Sequence, residues 1–458
     1  MIKINKENLL INNGITKKNI KNRKILLETL QTVFEISNPD NIIRSNIKLI
    51  ENNLIINKKS YDLSQFKRIR VVGAGKAVAS MAQSIEKILG DKITDGVIII
   101  PDYLEKPALN KIKIMYGTHP FPSQNSINGT KEIMELLKSS TGDDLILNIL
   151  SGGGSSLLSL PAKGVTIEDK IETSNLLMKS GATIHDLNVV RKHISDIKGG
   201  LLAKWAYPAR IVSIIISDVV GDQIDIIASG PTAPDSSTFQ DSINILKKFN
   251  VWNKISDNIK NRLTNGVGSK IEDTPKVNDK CFKKVDNLII FTNRDVCNAV
   301  VNKLQQYMET KLLTSFIEGE ASVVGALIGS IVLEAKSHMD DKKSGLAYVF
   351  GGETSVTVKN NGKGGRNLEL CLGASKKIKD HDGIVVASIA TDGVDGVTDA
   401  AGGICDGKTM QRGLDKKMGV WDYLKRNDSY NFLQKLDDLI ITGPTGTNLN
   451  DIVIVIIS

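Results

Sequence analysis

One pattern repeats along the chain: an apolar run of strand length stops at a glycine-bearing polar loop, and apolar residues then return at every third or fourth position. Its sharpest instance is D-L-I-L-N-I-L-S-G-G-G-S-S-L-L-S-L, residues 144–160. Residues 145–150 predict a buried strand, and Ser151, Gly152, Gly153, Gly154, Ser155 and Ser156 predict the loop it delivers. Residues 68–72 predict a second strand that runs into Gly73, Ala74, Gly75 and Lys76, and Met81, Ile85 and Leu89 then mark one face of a helix. Further strands are predicted at 96–101, 111–116 and 211–216. Helices are predicted from Arg23 to the stop at Asn38-Pro39, at 166–180 behind a Thr166 cap, at 187–197, and at 237–249 with Ser237 and Gln240 in capping-box spacing.

Residues 251–284 are polar and weakly periodic, and the alternation starts afresh after them, with strands at 287–292 and 312–316 and helices at 295–308 and 321–335. Strand-then-loop units follow: 348–350 leads to Gly351, Gly352, Glu353 and Thr354, 384–390 to T-D-G-V-D-G with Asp392, and 439–442 to G-P-T-G-T-N. The expected fold class is therefore α/β, in two α/β domains. Residues 1–22 read as an N-terminal arm, 23–270 as a Rossmann-like, doubly wound domain, and 285–458 as a smaller α/β domain. In open α/β sheets ligands bind beyond the carboxyl ends of the strands, where these loops are expected.

Consecutive glycines let main-chain N–H groups turn toward one point, and serine hydroxyls add donors, so the Ser151–Ser156 loop suits an anion such as phosphate; a solvent-exposed turn is the plainer alternative. Gly73 and Gly75 bring the chain into a helix N-terminus, the arrangement that receives anions, with Lys76 as a cation beside it. Neither common phosphate fingerprint fits. A dinucleotide motif needs glycine where Val78 stands, and a Walker A loop needs glycine at Arg70 and Ser or Thr at Ala77. Asp218, after the 211–216 strand, is a candidate Mg²⁺ ligand or a turn carboxylate. His119, in T-H-P-F-P, either shapes a ligand site or packs structurally. Arg191, Lys192 and His193 read as a solvated basic face. Arg366, delivered by a glycine run, has the fork for a carboxylate or phosphate, though alone it would read as a surface arginine.

Composition narrows the class. Of 458 residues, 41% are hydrophobic and 24% charged, ordinary for a soluble globular protein, and no 18-residue apolar run is present to span a bilayer. The net charge of +8 is interleaved with acids in a chain with only 5% aromatic residues, which argues against nucleic acid as a partner. Four scattered cysteines without a C-x-x-C pair, and an N-terminal stretch without a signal-peptide core, fit a reducing cytoplasm.

Taken in order, the motifs V-V-G-A-G-K-A, T-H-P-F-P, L-S-G-G-G-S-S-L-L, L-N-V-V-R-K-H-I-S-D-I-K-G-G, S-D-V-V-G-D with I-A-S-G-P-T, G-G-E-T-S-V-T-V, G-G-R-N-L-E-L, A-T-D-G-V-D-G and T-G-P-T-G-T-N-L-N-D resemble the class II glycerate kinases, whose second domain is the MOFRL module. The resemblance spans Arg23 to the C-terminus. It departs at Ser123, where aspartate is expected, and at Leu201, where arginine is expected. It implies two α/β domains with the active site in a cleft, and transfer of the ATP γ-phosphoryl group to D-glycerate to give 2-phosphoglycerate. It also implies Lys76 and Arg366 as catalytic residues, nucleotide held by Gly73, Gly75, Ser151 to Ser156, Gly352, Glu353 and Thr354, and Mg²⁺ aided by Asp218 and Asp392. Its expected partners are ATP and glycerate, with no nucleic acid or membrane, and a homodimer stays open. An NAD(P)-dependent hydroxypyruvate reductase and a non-catalytic phosphometabolite-binding protein are the alternatives.

Overall fold

The computed structural model describes residues 2–105, 107–339 and 345–458. The chain divides into two compact units, Ile42–Phe291 and a second assembled from Met1–Asn41 with Thr292–Ser458.

The Ile42–Phe291 unit is built on six strands: β1 Arg68–Ala74, β2 Asp95–Pro101, β3 Ile112–Gly117, β4 Asp144–Leu150, β5 Arg210–Ile216 and β6 Val285–Phe291. They pair in the order β3-β2-β1-β4-β5-β6, with each pairing parallel. This is the doubly wound order whose direction of winding reverses between β1 and β4, so a crevice opens at the carboxyl ends of those two strands. Every residue of β4 is buried, as expected for a strand covered on both faces. Val72, Ala74, Val97, Ile99 and Ile146 share a core cluster with Ile133 and Leu137 of the helix Gln124–Lys138 and with Ala203 and Ala206 of the helix Leu201–Ala206. The alternate residues Val71, Ile98 and Leu147 are equally buried and point to the opposite face. Asn148, within the apolar run of β4, donates to Ser213 Oγ on β5 at 3.0 Å, and Ser213 meets Thr232 at 2.9 Å, so the polar positions of the two runs face one another. A small antiparallel sheet of Ile47–Ile50, Asn53–Ile56 and Lys59–Asp62 precedes β1.

The second unit carries β7 Glu309–Ile317, β8 Leu346–Gly352, β9 Ile384–Ala390, β10 Gly402–Asp406, β11 Leu439–Ile440 and β12 Asp451–Ile457, ordered β7-β8-β12-β9-β10-β11. β12 runs antiparallel to β8 and β9, pairing Asp451 with Gly352 on one side and with Ala390 on the other. The loops that leave β8 and β9 and the loop that enters β12 therefore emerge at one edge. Pattern reading overlooked β12, although its six residues after Asp451 are all apolar, each at 3% exposure or less.

The α/β class and the two-domain architecture are as expected, but the boundaries differ. Residues 251–284 hold no division: Asp257–Val267 is a helix, and Val251, Ile259 and Leu263 pack with Phe239 and Leu246 in one core cluster. Nor does the helix that includes Arg23 head the first domain. It runs Lys17–Ile36 in the second unit, and the Arg23 guanidinium, fully buried, pairs with Asp406 at 2.7 Å and with Asp438 at 2.8 Å. Asn22 adds a bond to Gly383 O at 2.9 Å. The arm is not free either, since Leu10 is 1% exposed and its carbonyl accepts from Arg23 at 2.8 Å. Two helix starts also shift, because threonine takes the cap in each. Thr183 caps Ile184–His193 with Asp186 closing the box, and Thr238, not Ser237, caps Phe239–Lys248 with Asp241.

Candidate functional site

At the winding reversal of the parallel sheet, the loops after β1 and β4 lock together. Lys76 N donates to Gly152 O at 2.8 Å, and Ser151 Oγ accepts from Ala77 N at 3.0 Å, capping the helix Val78–Leu89 from the neighbouring strand. Gly75 permits this approach: at φ 153°, a Cβ there would lie 2.2 Å from Ser151 Oγ. At Gly153, φ 84°, a Cβ would lie 3.3 Å from Lys76 Cγ and 3.2 Å from His119 Cδ2. Three motifs separated in sequence, G-A-G-K, T-H-P-F-P and S-G-G-G-S-S, thus converge on one point, and His119 belongs to that cluster. Lys76 and Ser155 are partly exposed there.

The serine hydroxyls divide by role. Ser151 serves the helix cap, Ser156 donates to Gly153 O at 3.0 Å, and Ser155 meets Ser229 Oγ at 3.2 Å, which in turn donates to Asn188 Oδ1 at 2.9 Å. Beneath them lies Lys198, 2% exposed, whose ammonium donates to Ser155 O at 2.7 Å and Ala228 O at 3.3 Å. Sequence reasoning missed this lysine; the K-G-G turn after it was the available signal. Val78, where a dinucleotide fingerprint needs glycine, is fully buried at the first helical position.

Asp218 follows β5 and is partly exposed. The basic cluster Arg191, Lys192 and His193 is no solvated face. Lys192 is 3% exposed, 3.2 Å from Asp225 and 3.4 Å from Asp235, and His193 is 1% exposed, with Nε2 3.0 Å from Asp273. The partners that bury these groups lie more than thirty residues away, beyond the reach of a local pattern.

In the second unit Arg366 is the first residue of the helix Arg366–Lys377, as its glycine run predicts. Its fork grips Asp451 in two bonds, Nε to Oδ2 at 2.6 Å and Nη2 to Oδ1 at 2.9 Å, while Nη1 lies 2.8 Å from Glu353. Burial opposes the charge on Arg366, but Asp451 and Glu353 outweigh it and hold the guanidinium protonated. Glu353 is the exposed partner and Asp451 the buried one, at 43% and 6% side-chain exposure. Thr354 is buried beside Glu353. Asp395, from the T-D-G-V-D-G loop, accepts from Asn367 N at 3.1 Å and Leu368 N at 2.9 Å and so closes the start of the same helix. Burial pushes its carboxyl up to about 6 against those bonds, and Asp451 adds to the rise. Asp392 accepts from Val394 N at 3.1 Å, and its carbonyl accepts from Thr445 N at 3.0 Å. Sequence reasoning singled out neither Asp395 nor Asp451, though both lie in quoted motifs.

Among the described residues no three His, Cys, Asp or Glu side chains group as a metal cage. That arrangement still suits Mg²⁺ at a phosphoryl-transfer site, which takes one or two carboxylates and keeps its other positions for water and substrate phosphate. Asp218 and Asp392 are half-buried carboxylates of that kind. All four cysteines are free and buried, and no helix of the described residues is long and apolar enough to cross a membrane.

Residues 25–264 match a family model described as a domain of unknown function, DUF4147, and residues 346–451 match the MOFRL family. The chain is 39% identical over 438 residues to the glycerate 2-kinase of Pyrococcus horikoshii, covering 95% of this chain and 97% of that one. It is 40% identical over 390 residues to the D-glycerate 2-kinase of Thermotoga maritima, covering 84% and 90%. The crystal structure of glycerate kinase from Thermotoga maritima matches with a TM-score of 0.82 at 36% identity, over 95% of this chain and 99% of that one.

Proposed function

This chain belongs to the glycerate 2-kinase family, and we propose that it transfers the γ-phosphoryl group of ATP to the 2-hydroxyl of D-glycerate, releasing ADP and 2-phosphoglycerate. The observation that carries the proposal is the convergence of Lys76, His119 and the Ser151–Ser156 loop at the winding reversal of the parallel sheet. A new bond forms between the substrate oxygen and the γ-phosphorus while the bond to the β-phosphate oxygen breaks. Little covalent help is needed in a loose transition state, so the protein's work is positioning and charge stabilisation. The hydroxyl proton leaves late, to solvent.

On the parallel-sheet unit we assign Gly73, Gly75 and Ser151 to Ser156 to nucleotide phosphate, their main-chain N–H groups supplying the donors and Lys76 a positive charge. On the second unit Arg366 supplies a planar fork toward carboxylate or phosphoryl oxygens. A substrate anion can take the place of the exposed Glu353 at Nη1 while buried Asp451 keeps the guanidinium in position. Gly352, Glu353 and Thr354 shape that surface. Bound Mg²⁺ would neutralise phosphate charge, with Asp218 or Asp392 as its assigned ligand.

The test uses D-glycerate and ATP-Mg, with enolase as the only coupling enzyme. Appearance of phosphoenolpyruvate is the expected result. A requirement for added phosphoglycerate mutase would overturn the position of transfer, and NADH oxidation with hydroxypyruvate in place of ADP release would overturn the reaction itself.

A further inference from the structure

Lys198 stands out among the buried cations of the Ile42–Phe291 unit. An ammonium removed from water costs several kcal/mol unless a counter-charge accompanies it. Its hydrogen-bond partners, Ser155 O and Ala228 O, are main-chain carbonyls that carry no formal charge. The groups around it add charge of the same sign: Lys170, 5% exposed with Nζ 3.2 Å from Ser159 Oγ, and Arg191, with Nε 3.3 Å from Ser174 Oγ. Of the nearby carboxylates, Asp196 is engaged by Arg262 at 3.7 Å. Lys192 next to them is already balanced by Asp225 and Asp235. Positive charge is therefore in excess behind the Ser151–Ser156 loop.

Lys198 also ties that loop to a second one. The turn that follows it pairs Gly199 N with Ser229 O at 3.0 Å and Gly200 N with Gly230 O at 2.7 Å. The segment it holds is backbone-strained, with Ala228 at φ 51° and Ser229 at φ 62°, and a conformation of that kind persists only where the surroundings over-determine it. Ser155, whose carbonyl takes the shorter of the two ammonium bonds, is the serine left on the accessible side of the loop.

We propose that Lys198 is a positioning residue of the Ser151–Ser156 loop, fixing the Ser155 peptide and placing behind it a basic group with no carboxylate bonded to it, so that the arrival of nucleotide phosphate and the protonation of Lys198 favour each other. This rests on the assignment of that loop to phosphate. The sign of the coupling follows from the free state: burial, Lys170 and Arg191 hold the Lys198 ammonium well below the ordinary lysine range, and burial with Arg191 pushes Lys170 down to about 7. An anion bound at the loop raises both, so binding takes up protons.

The test is calorimetry of the full chain with a non-hydrolysable ATP analogue and Mg²⁺ at about pH 8, in two buffers of different ionisation enthalpy. Proton uptake is expected from the wild type and from Lys170→Met, and from Lys198→Met only the smaller share taken up by Lys170. In steady state Lys198→Met should lower kcat/KM for ATP by roughly 10²-fold, the scale of a misplaced catalytic loop, while KM for glycerate holds. Lys131→Met, on the exposed face of another helix, is the control. A folded Lys198→Met with wild-type uptake and ATP kinetics overturns the proposal. Should that variant not fold, absence of uptake in Lys170→Met overturns it equally. A wild type that binds no nucleotide overturns the phosphate assignment of the loop and this proposal with it, whereas wild-type binding without uptake overturns this proposal alone.

Discussion

Two cations of the second unit have carboxylate partners that two buried cations of the parallel-sheet unit lack. In the second unit Arg23 and Arg366 each meet two carboxylates, Asp406 and Asp438 for the first, Asp451 and Glu353 for the second. In the parallel-sheet unit Lys198 and Lys170 have no carboxylate hydrogen-bond partner and bond to carbonyl or hydroxyl oxygens. A compensated charge holds structure together, and an uncompensated one is left over for an anion that comes from outside. Arg366 belongs to both classes, since its buried partner is structural while its exposed partner can give way.

The comparison breaks most visibly at Arg23. Arg23→Ala takes the buried cation from Asp406 and leaves Asp438 with Arg412 as its remaining ion-pair partner. Removing one member of a buried ion network costs about 3–5 kcal/mol, so chemical denaturation should show a loss of that size. Lys198→Met, which removes a buried charge that has no carboxylate to strand, should cost far less. Equal losses would erase the distinction between the two units.

Next in size are the two proposed catalytic cations. Losing a preorganised donor to developing negative charge typically costs ~10² to 10³ in kcat, or about 2.7–4 kcal/mol. Lys76→Met and Arg366→Met should each fall by that factor, and Arg366→Met should also melt earlier, because Asp451 loses its bidentate partner. Arg366→Lys should recover part of the stability and little of the rate, since a point charge cannot reproduce a planar fork. Near-normal turnover in folded Lys76→Met would overturn the catalytic assignment of Lys76.

Lys192 shows why some of this was out of reach of the sequence. Three consecutive basic residues at the end of a helix look solvated, yet their partners Asp225, Asp235 and Asp273 come from later loops. Lys192→Met is therefore no neutral control. It leaves Asp235, 1% exposed, with only Ser237 and Thr274 as donors, and a loss of about 1–3 kcal/mol is expected against near zero for Lys131→Met. The strand-then-glycine loops were legible because an apolar run and its punctuation are local signals. The boundary between the units, the grip of Asp451 on Arg366 and the burial of Lys198 were not, because each depends on residues brought together from far along the chain. The Arg23–Asp406 bond alone spans 383 positions.

The smallest expected effect is a difference in the sign of the acid response. In the parallel-sheet unit burial of Asp273 is outweighed by its bonds to His193 and Thr274, which hold the carboxyl down to about 2. An unfolded aspartate titrates near 3.9. The unfolded chain therefore binds the extra proton first, and the stability Asp273 contributes is present above about pH 4 and lost as pH falls toward 2. In the second unit Asp395 titrates at about 6 in the folded chain, so between about pH 4 and 6 the folded state holds the proton that the unfolded state has released. Its contribution therefore falls as pH rises through that window, and Asp451, also raised by burial, adds a slope of the same sign. Carbon-13 carboxyl spectra of aspartate-labelled protein should show one resonance moving near pH 6 that vanishes in Asp395→Asn. That variant should also flatten the decline in melting temperature between pH 4 and 6 while leaving the acid limb below pH 4 to Asp273. A single carboxyl range near 4 for every aspartate would mean that the interior around Asp395 is wet, and the start of the Arg366 helix would then need another account of what holds it.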